Sequence, residues 1–179
     1  HGLGQGGGNP VGMLAEMLAA ATNPNLGGRD HAPIEVERQV IRWAAEMLGF
    51  PQDASGVLVT GTSMANLIAV LVARTRALGT EVRRSRLLGR PLVAYTSVEA
   101  HNCVARAMDM AGLGSDALRL IGLDGHHRMD MGALQAAIAQ DRAAGLQPFL
   151  VVGSAGTVDT GAVDDLTAVA ALARAHGLW

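Results

Sequence analysis

Three short stretches of this sequence hold side chains that could do chemistry. The first is Thr60-Gly61-Thr62-Ser63-Met64-Ala65-Asn66, a glycine turn and two hydroxyls ahead of a helical pattern. Gly61 lets the backbone come close to a ligand, while Thr62 and Ser63 would share a face with the open amides of a helix start. Such a start carries roughly half a positive charge and suits a phosphate. Neither the GxxxxGK[ST] spacing of a P-loop nor a GxGxxG fingerprint is present. Taken alone, the motif fits an ordinary Ser63 helix cap better than a ligand site.

The second stretch is Ser97-Val98-Glu99-Ala100-His101-Asn102-Cys103. His101 could stack on a flat ring or move a proton, although a solvent-facing histidine at a helix start would look the same. Cys103 is a candidate nucleophile that sits more naturally as a small core residue. The third stretch runs from Gly153-Ser154-Ala155 through Gly156-Thr157-Val158-Asp159-Thr160-Gly161. Its small residues leave room for a ligand, and Asp164 and Asp165 follow where a helix dipole favours acids. A Ser-His-Asp hydrolase built from Ser63 or Ser154, His101 and Asp159 would lack the G-x-S-x-G elbow. His126 and His127 are neighbours with no further ligand to complete a set, so no metal site is expected.

These stretches need elements to hold them, and the sequence alternates regularly enough to supply them. Helices are expected over residues 10–21 and 33–48, with Pro33 at a first helical position and Gly49 as the stop. A glycine-rich loop over residues 1–9 and a second loop over 22–32 flank the first helix. Short apolar strands are expected at 56–60, 91–96, 117–123 and 148–153. Helices at 63–78, 101–111, 130–144 and 166–175 follow them in turn. Asp130 and Gly177 are the cap and stop of the last two helices. Apolar strands separated by helices belong to a mostly parallel sheet covered on both sides, so the fold class is α/β. Leu178 and Trp179 have the pattern of a further strand beginning, which reads as part of a longer fold. In such sheets ligands bind beyond the carboxyl ends of the strands, where all three stretches fall.

Composition removes several function classes. With 179 residues, 49% hydrophobic and 17% charged, the chain has enough apolar residues for a packed core and is no disordered segment. Acids outnumber bases 16 to 14, which argues against nucleic-acid binding. No apolar run approaches a membrane span, and no leader-like segment opens the sequence. One cysteine allows no internal disulfide and suits a reducing cytoplasm. Every one of the 14 basic residues is arginine, so chemistry that needs a lysine amine cannot come from this chain.

Taken together, the loops resemble the group II pyridoxal-phosphate-dependent amino acid decarboxylases, which include aromatic amino acid and glutamate decarboxylases. The resemblance spans residues 10–179. It rests on Asp30-His31-Ala32-Pro33-Ile34-Glu35-Val36-Glu37, on Gly56-Val57-Leu58-Val59-Thr60-Gly61-Thr62-Ser63, on Ala100-His101-Asn102-Cys103-Val104, and on Gly156-Thr157-Val158-Asp159-Thr160-Gly161-Ala162-Val163-Asp164. Each segment is weak alone; four in the right order and register are strong. The resemblance implies a fold-type I pyridoxal-phosphate transferase-like large domain, cut after Trp179, with residues 1–32 as an N-terminal segment and 33–179 as its first half. It implies that Gly61, Thr62 and Ser63 bind the cofactor phosphate, that His101 lies over the ring near the reacting carbon, and that Thr157 touches the cofactor from the third loop. It further implies a homodimer acting on an amino acid. The family's ring-nitrogen aspartate and its cofactor-binding lysine would lie beyond Trp179, so the chain alone is expected to be inactive. The substrate-lining aromatics of the family find no match in the glycine-rich opening. Another pyridoxal-phosphate lyase or transaminase on the same fold, and a non-catalytic phosphate-binding or assembly subunit, remain the alternatives.

Overall fold

The computed structural model describes residues 8–22, 31–84 and 91–179. The glycine-rich opening up to residue 7, and most of the loop expected over 22–32 including Asp30, lie outside them. The chain forms two compact units, residues 1–60 and 61–179.

The first unit carries two helices, α1 (Pro10–Thr22) and α2 (Ala32–Met47). Asn9 starts α1 by accepting the Val11 amide on its side-chain oxygen at 2.9 Å. Pro33 sits in the first turn of α2, where its missing N–H costs nothing. The strand expected at 56–60 does not form. Val57 and Leu58 are exposed, and the Leu58 amide reaches the Glu37 carboxylate at 3.3 Å instead of a ladder partner. An apolar run becomes a strand only where another strand takes its backbone groups, and no described strand of this unit lies beside it.

The second unit alternates helix and strand as expected: α3 (Thr62–Leu78), β1 (Leu92–Ser97), α4 (Cys103–Met110), β2 (Leu118–Ile121), α5 (Met131–Ala143), β3 (Gln147–Val152) and α6 (Leu166–His176). The sheet is parallel, in the order β2-β1-β3. β1 is central and buried along its whole length. Its alternate residues feed two cores. Leu92 and Ala94 pack with Val70 and Ala73 of α3 and with Val104, Ala107 and Met108 of α4. Val93 and Tyr95 pack on the opposite side with Leu134 and Ile138 of α5 and with Leu178. Both faces are therefore covered, as an all-parallel sheet requires.

Caps mark the helix ends. Asp130 accepts the Gly132 and Ala133 amides at 2.8 and 3.0 Å, and Asp165 accepts the Ala168 amide at 2.9 Å. Gly177 closes α6 in the left-handed conformation at φ +68°, a position where a side chain would strain the turn. After it, the Trp179 amide donates to Phe149 at 2.9 Å and its carbonyl accepts from Val151 at 3.0 Å. Those two bonds flank Leu150 in the pattern of a parallel ladder, in keeping with the strand-like reading of Leu178 and Trp179.

Candidate active site

The loops after the three strands meet at one end of the sheet. After β1 come Glu99 and His101, after β2 the turn with His126 and His127, and after β3 the segment 153–165. Polar contacts tie them. Thr160 donates to Glu99 at 3.3 Å and pairs with Thr157 hydroxyl to hydroxyl at 2.6 Å. The His127 ring lies 3.6 Å from the other Glu99 oxygen. His127 holds φ +59°, a left-handed backbone unusual outside glycine. It is part of this rim, and its partner is a carboxylate. Among the described residues no three His, Cys, Asp or Glu side chains cluster as metal ligands do.

Asp124 holds the rim turn in shape. The Arg128 backbone amide first, then its guanidinium and the His126 amide, bring the Asp124 carboxyl down to about 2 against an opposing desolvation effect. The Arg128 guanidinium lies 2.8 Å from that carboxylate.

The third loop is fastened by Asp164. Its side chain is buried, 5% exposed, and accepts the Met129 amide on one oxygen and the Ser154 amide on the other, each at 2.7 Å. The Asp164 amide returns to the Ser154 carbonyl at 2.9 Å, and the Gly156 and Thr157 amides both reach the Ala162 carbonyl. Gly153 lies close under α6, where a Cβ would stand 2.9 Å from the Leu166 side chain and push its tip aside. The sequence pair Asp164-Asp165 reads as two dipole-favoured acids, yet only Asp165 caps α6. An acid doublet ahead of a helix needs one cap, so the extra carboxylate was the available signal of a second task.

The helix start at Thr62 is open. Gly61 precedes it at φ +137°, within the range that L side chains rarely adopt, with nothing within 4 Å of its Cβ position. No described side chain caps α3, and Ser63 lies inside the first turn rather than at the cap. The ordinary capping role for Ser63 is therefore absent, and exposed Thr62 and Ser63 hydroxyls stand beside the amides of that turn. His101 is exposed at the start of α4, where its Nδ1 accepts the Cys103 amide at 3.1 Å. A backbone N–H can only donate, so Nδ1 holds a lone pair and the neutral ring carries its proton on Nε2. Among the described residues no aspartate is hydrogen-bonded to this ring as in a hydrolase triad. Cys103 is buried and free, which suits a core residue. Asn66, not singled out by sequence reasoning, bridges the two helix starts: its amide donates to the Thr62 carbonyl at 2.9 Å and to the Cys103 sulfur at 3.3 Å. The Ser97 hydroxyl, at the end of β1, is buried with no hydrogen-bond partner among the described residues.

The chain belongs to the pyridoxal-dependent decarboxylase family, whose conserved-domain model matches residues 3–179. It is 36% identical over 173 residues to an aromatic-L-amino-acid decarboxylase of Bacillus atrophaeus, covering 96% of this chain and 35% of that protein. It is 32% identical over 169 residues to an L-2,4-diaminobutyrate decarboxylase of Rhizobium meliloti, covering 93% and 33%. Its fold superposes on the crystal structure of mouse CSAD in apo form with a TM-score of 0.90 at 29% identity, covering 97% of this chain and 37% of that one. The chain thus spans about a third of the length of the relatives it matches. The donors fit pyridoxal phosphate: an uncapped helix start with two exposed hydroxyls suits the phosphate, and an exposed imidazole ahead of the adjoining helix suits the ring.

Proposed function

We propose that the complete protein decarboxylates an amino acid with pyridoxal phosphate, and that this chain supplies the phosphate turn and the ring-facing histidine. The observation that carries this reading is the uncapped start of α3, held beside His101 by Asn66 and Cys103, in a chain of the pyridoxal-dependent decarboxylase family. Thr62 and Ser63 would donate their hydroxyls to the phosphate, and the amides of the turn would meet its charge. His101 would lie over the ring and present Nε2–H to the substrate. Thr157, backed by Thr160, would touch the cofactor from the third loop. When bound, the cofactor supplies the electron sink for the charge left as carbon dioxide departs.

The experiment is direct. The complete enzyme should release carbon dioxide from at least one member of an amino acid panel. Ser63→Ala should weaken cofactor binding about tenfold or more, the loss of one hydrogen bond to a charged group. Turnover without carbon dioxide release would move the reading to another pyridoxal-phosphate reaction. Unchanged cofactor affinity in Ser63→Ala would remove the phosphate assignment.

Assembly as a homodimer belongs to the same reading. Val11, Leu14, Met17 and Leu18 are exposed on α1, where Glu16 is the one charged residue, and no α1 residue is buried. A contiguous apolar helix of that kind marks an association surface. Light scattering at micromolar concentration should give twice the monomer mass, and an active monomer would refute the assignment. A reducing cytoplasm is the compartment that suits an unpaired Cys103, and no described helix is long and apolar enough to cross a membrane.

A further inference from the structure

The starts of α3 and α4 are joined by one continuous line of polar contacts. The Thr62 carbonyl accepts from the Asn66 side chain, the same amide nitrogen donates to Cys103 sulfur, and the Cys103 backbone amide donates to His101 Nδ1. Asn66 spends both of its side-chain hydrogens this way. Its reach is set by the helix: four residues after Thr62, it lies one turn above that carbonyl and faces α4.

This line adds little to the packing of the two helices. Val70 and Ala73 of α3 already meet Val104, Ala107 and Met108 of α4 in a shared core further along both helices. A single hydrogen bond to a thiol, itself a weak acceptor, is small beside that core. What the line does fix is distance and orientation, between the turn that carries two hydroxyls and the imidazole on the next loop.

We propose that Asn66 is a positioning residue, which holds the Thr62 and Ser63 turn and the His101 ring in one geometry through Cys103. The inference rests on the reading of those three residues as cofactor contacts. A cofactor gripped at its phosphate by one helix start and covered at its ring by the other needs both starts registered to each other. Sub-ångström looseness between them costs turnover more than it costs folding.

The test uses the complete enzyme. Asn66→Ala should weaken pyridoxal phosphate binding and lower kcat, each by about threefold to tenfold, with Tm close to the parent. The visible circular dichroism of the bound cofactor should shrink, since it reports how rigidly the ring is held. Cys103→Ala should reproduce these effects, and the double variant should be no worse than Asn66→Ala alone. Cys103→Ser, which restores an acceptor, should recover most of the loss. Ser63→Ala and His101→Ala are measured beside them. If both of those are impaired while Asn66→Ala matches the parent, the positioning role is refuted and the site reading stands. If Ser63→Ala and His101→Ala themselves match the parent, the site reading and the inference fall together. A drop in Tm with unchanged cofactor affinity, kcat and dichroism would assign Asn66 to packing and overturn the inference. Should Asn66→Ala not fold, Cys103→Ala carries the same comparison, because it leaves Asn66 bonded to Thr62.

Discussion

Asp164 takes two backbone amides from two different loops on one buried carboxylate, and few single side chains in this fold hold so much in place. Removing it leaves the buried Met129 amide without an acceptor, at about 1–3 kcal/mol, and the half-buried Ser154 amide at a smaller cost. Asp164→Ala is therefore expected to lower Tm clearly. Asp164→Asn, which keeps one acceptor oxygen, should fall between it and the parent. Equal Tm values for all three would show that the staple contributes nothing. At this scale the sequence was only partly legible. Thr62, Ser63 and His101 stand out because hydroxyls beside glycine, and a histidine beyond a strand, are chemically conspicuous. Asn66 does not, and Asp164 shows only as the spare acid of a doublet, since their partners are a sulfur 37 residues away and a backbone amide 35 residues away. Long-range pairings of that kind leave no periodic trace in a sequence.

Between elements, the most consequential contact is Tyr95 of β1 with Asp141 of α5, a 2.8 Å hydrogen bond from a fully buried phenol. Arg119 of β2 grips the same carboxylate, so one group joins central strand, edge strand and helix. Burial first, and then the Asp141 carboxylate, raise the phenol well above the usual tyrosine range. The folded protein thus holds this proton more tightly than the unfolded chain does. The resulting stability is complete below about pH 10, the ordinary tyrosine value, and is lost as pH climbs past it. Urea midpoints followed from pH 8 to 11 should fall more steeply for the parent than for Tyr95→Phe. Parallel curves would show the Tyr95 proton to be irrelevant. Element boundaries were the most legible feature of the sequence, because glycine stops and aspartate caps act locally: α5 and α6 begin and end within about a residue of expectation. The segment 56–60 shows the limit. Its apolar pattern is strand-like, but strand formation depends on a partner that local pattern does not supply.

For the molecule as a whole, charge chemistry matters more than net charge. All 14 basic side chains are arginine, and a guanidinium protonated at any working pH does not act as an amine nucleophile. Under the proposed function, this chain would hold pyridoxal phosphate without supplying a lysine amine for it to bond with. After borohydride reduction with the cofactor, the complete enzyme should carry the added mass on a peptide outside residues 1–179. Stoichiometric label on a side chain within those residues, together with carbon dioxide release, would refute this. The α/β class and the parallel sheet were legible from strand and helix alternation. The division at residue 60 was not, because Gly61 there reads in the sequence as the turn before a helix and not as a boundary.

The strand order also bears on the sequence of events in time. β1 pairs with β2 across a connection of about twenty residues that contains α4, but with β3 only across some fifty. Loop-closure entropy favours the nearer partner, so β1, α4 and β2 can zip together before β3 arrives. The Tyr95 and Asp141 contact belongs to the later docking, because α5 lies on the far side of β2 in the chain. Backbone amides of β1 and β2 should accordingly be shielded from exchange earlier in refolding than those of β3. Thr62, Ser63 and His101 also lie upstream of β2, so their helix starts are expected to form before the loop that carries Thr157.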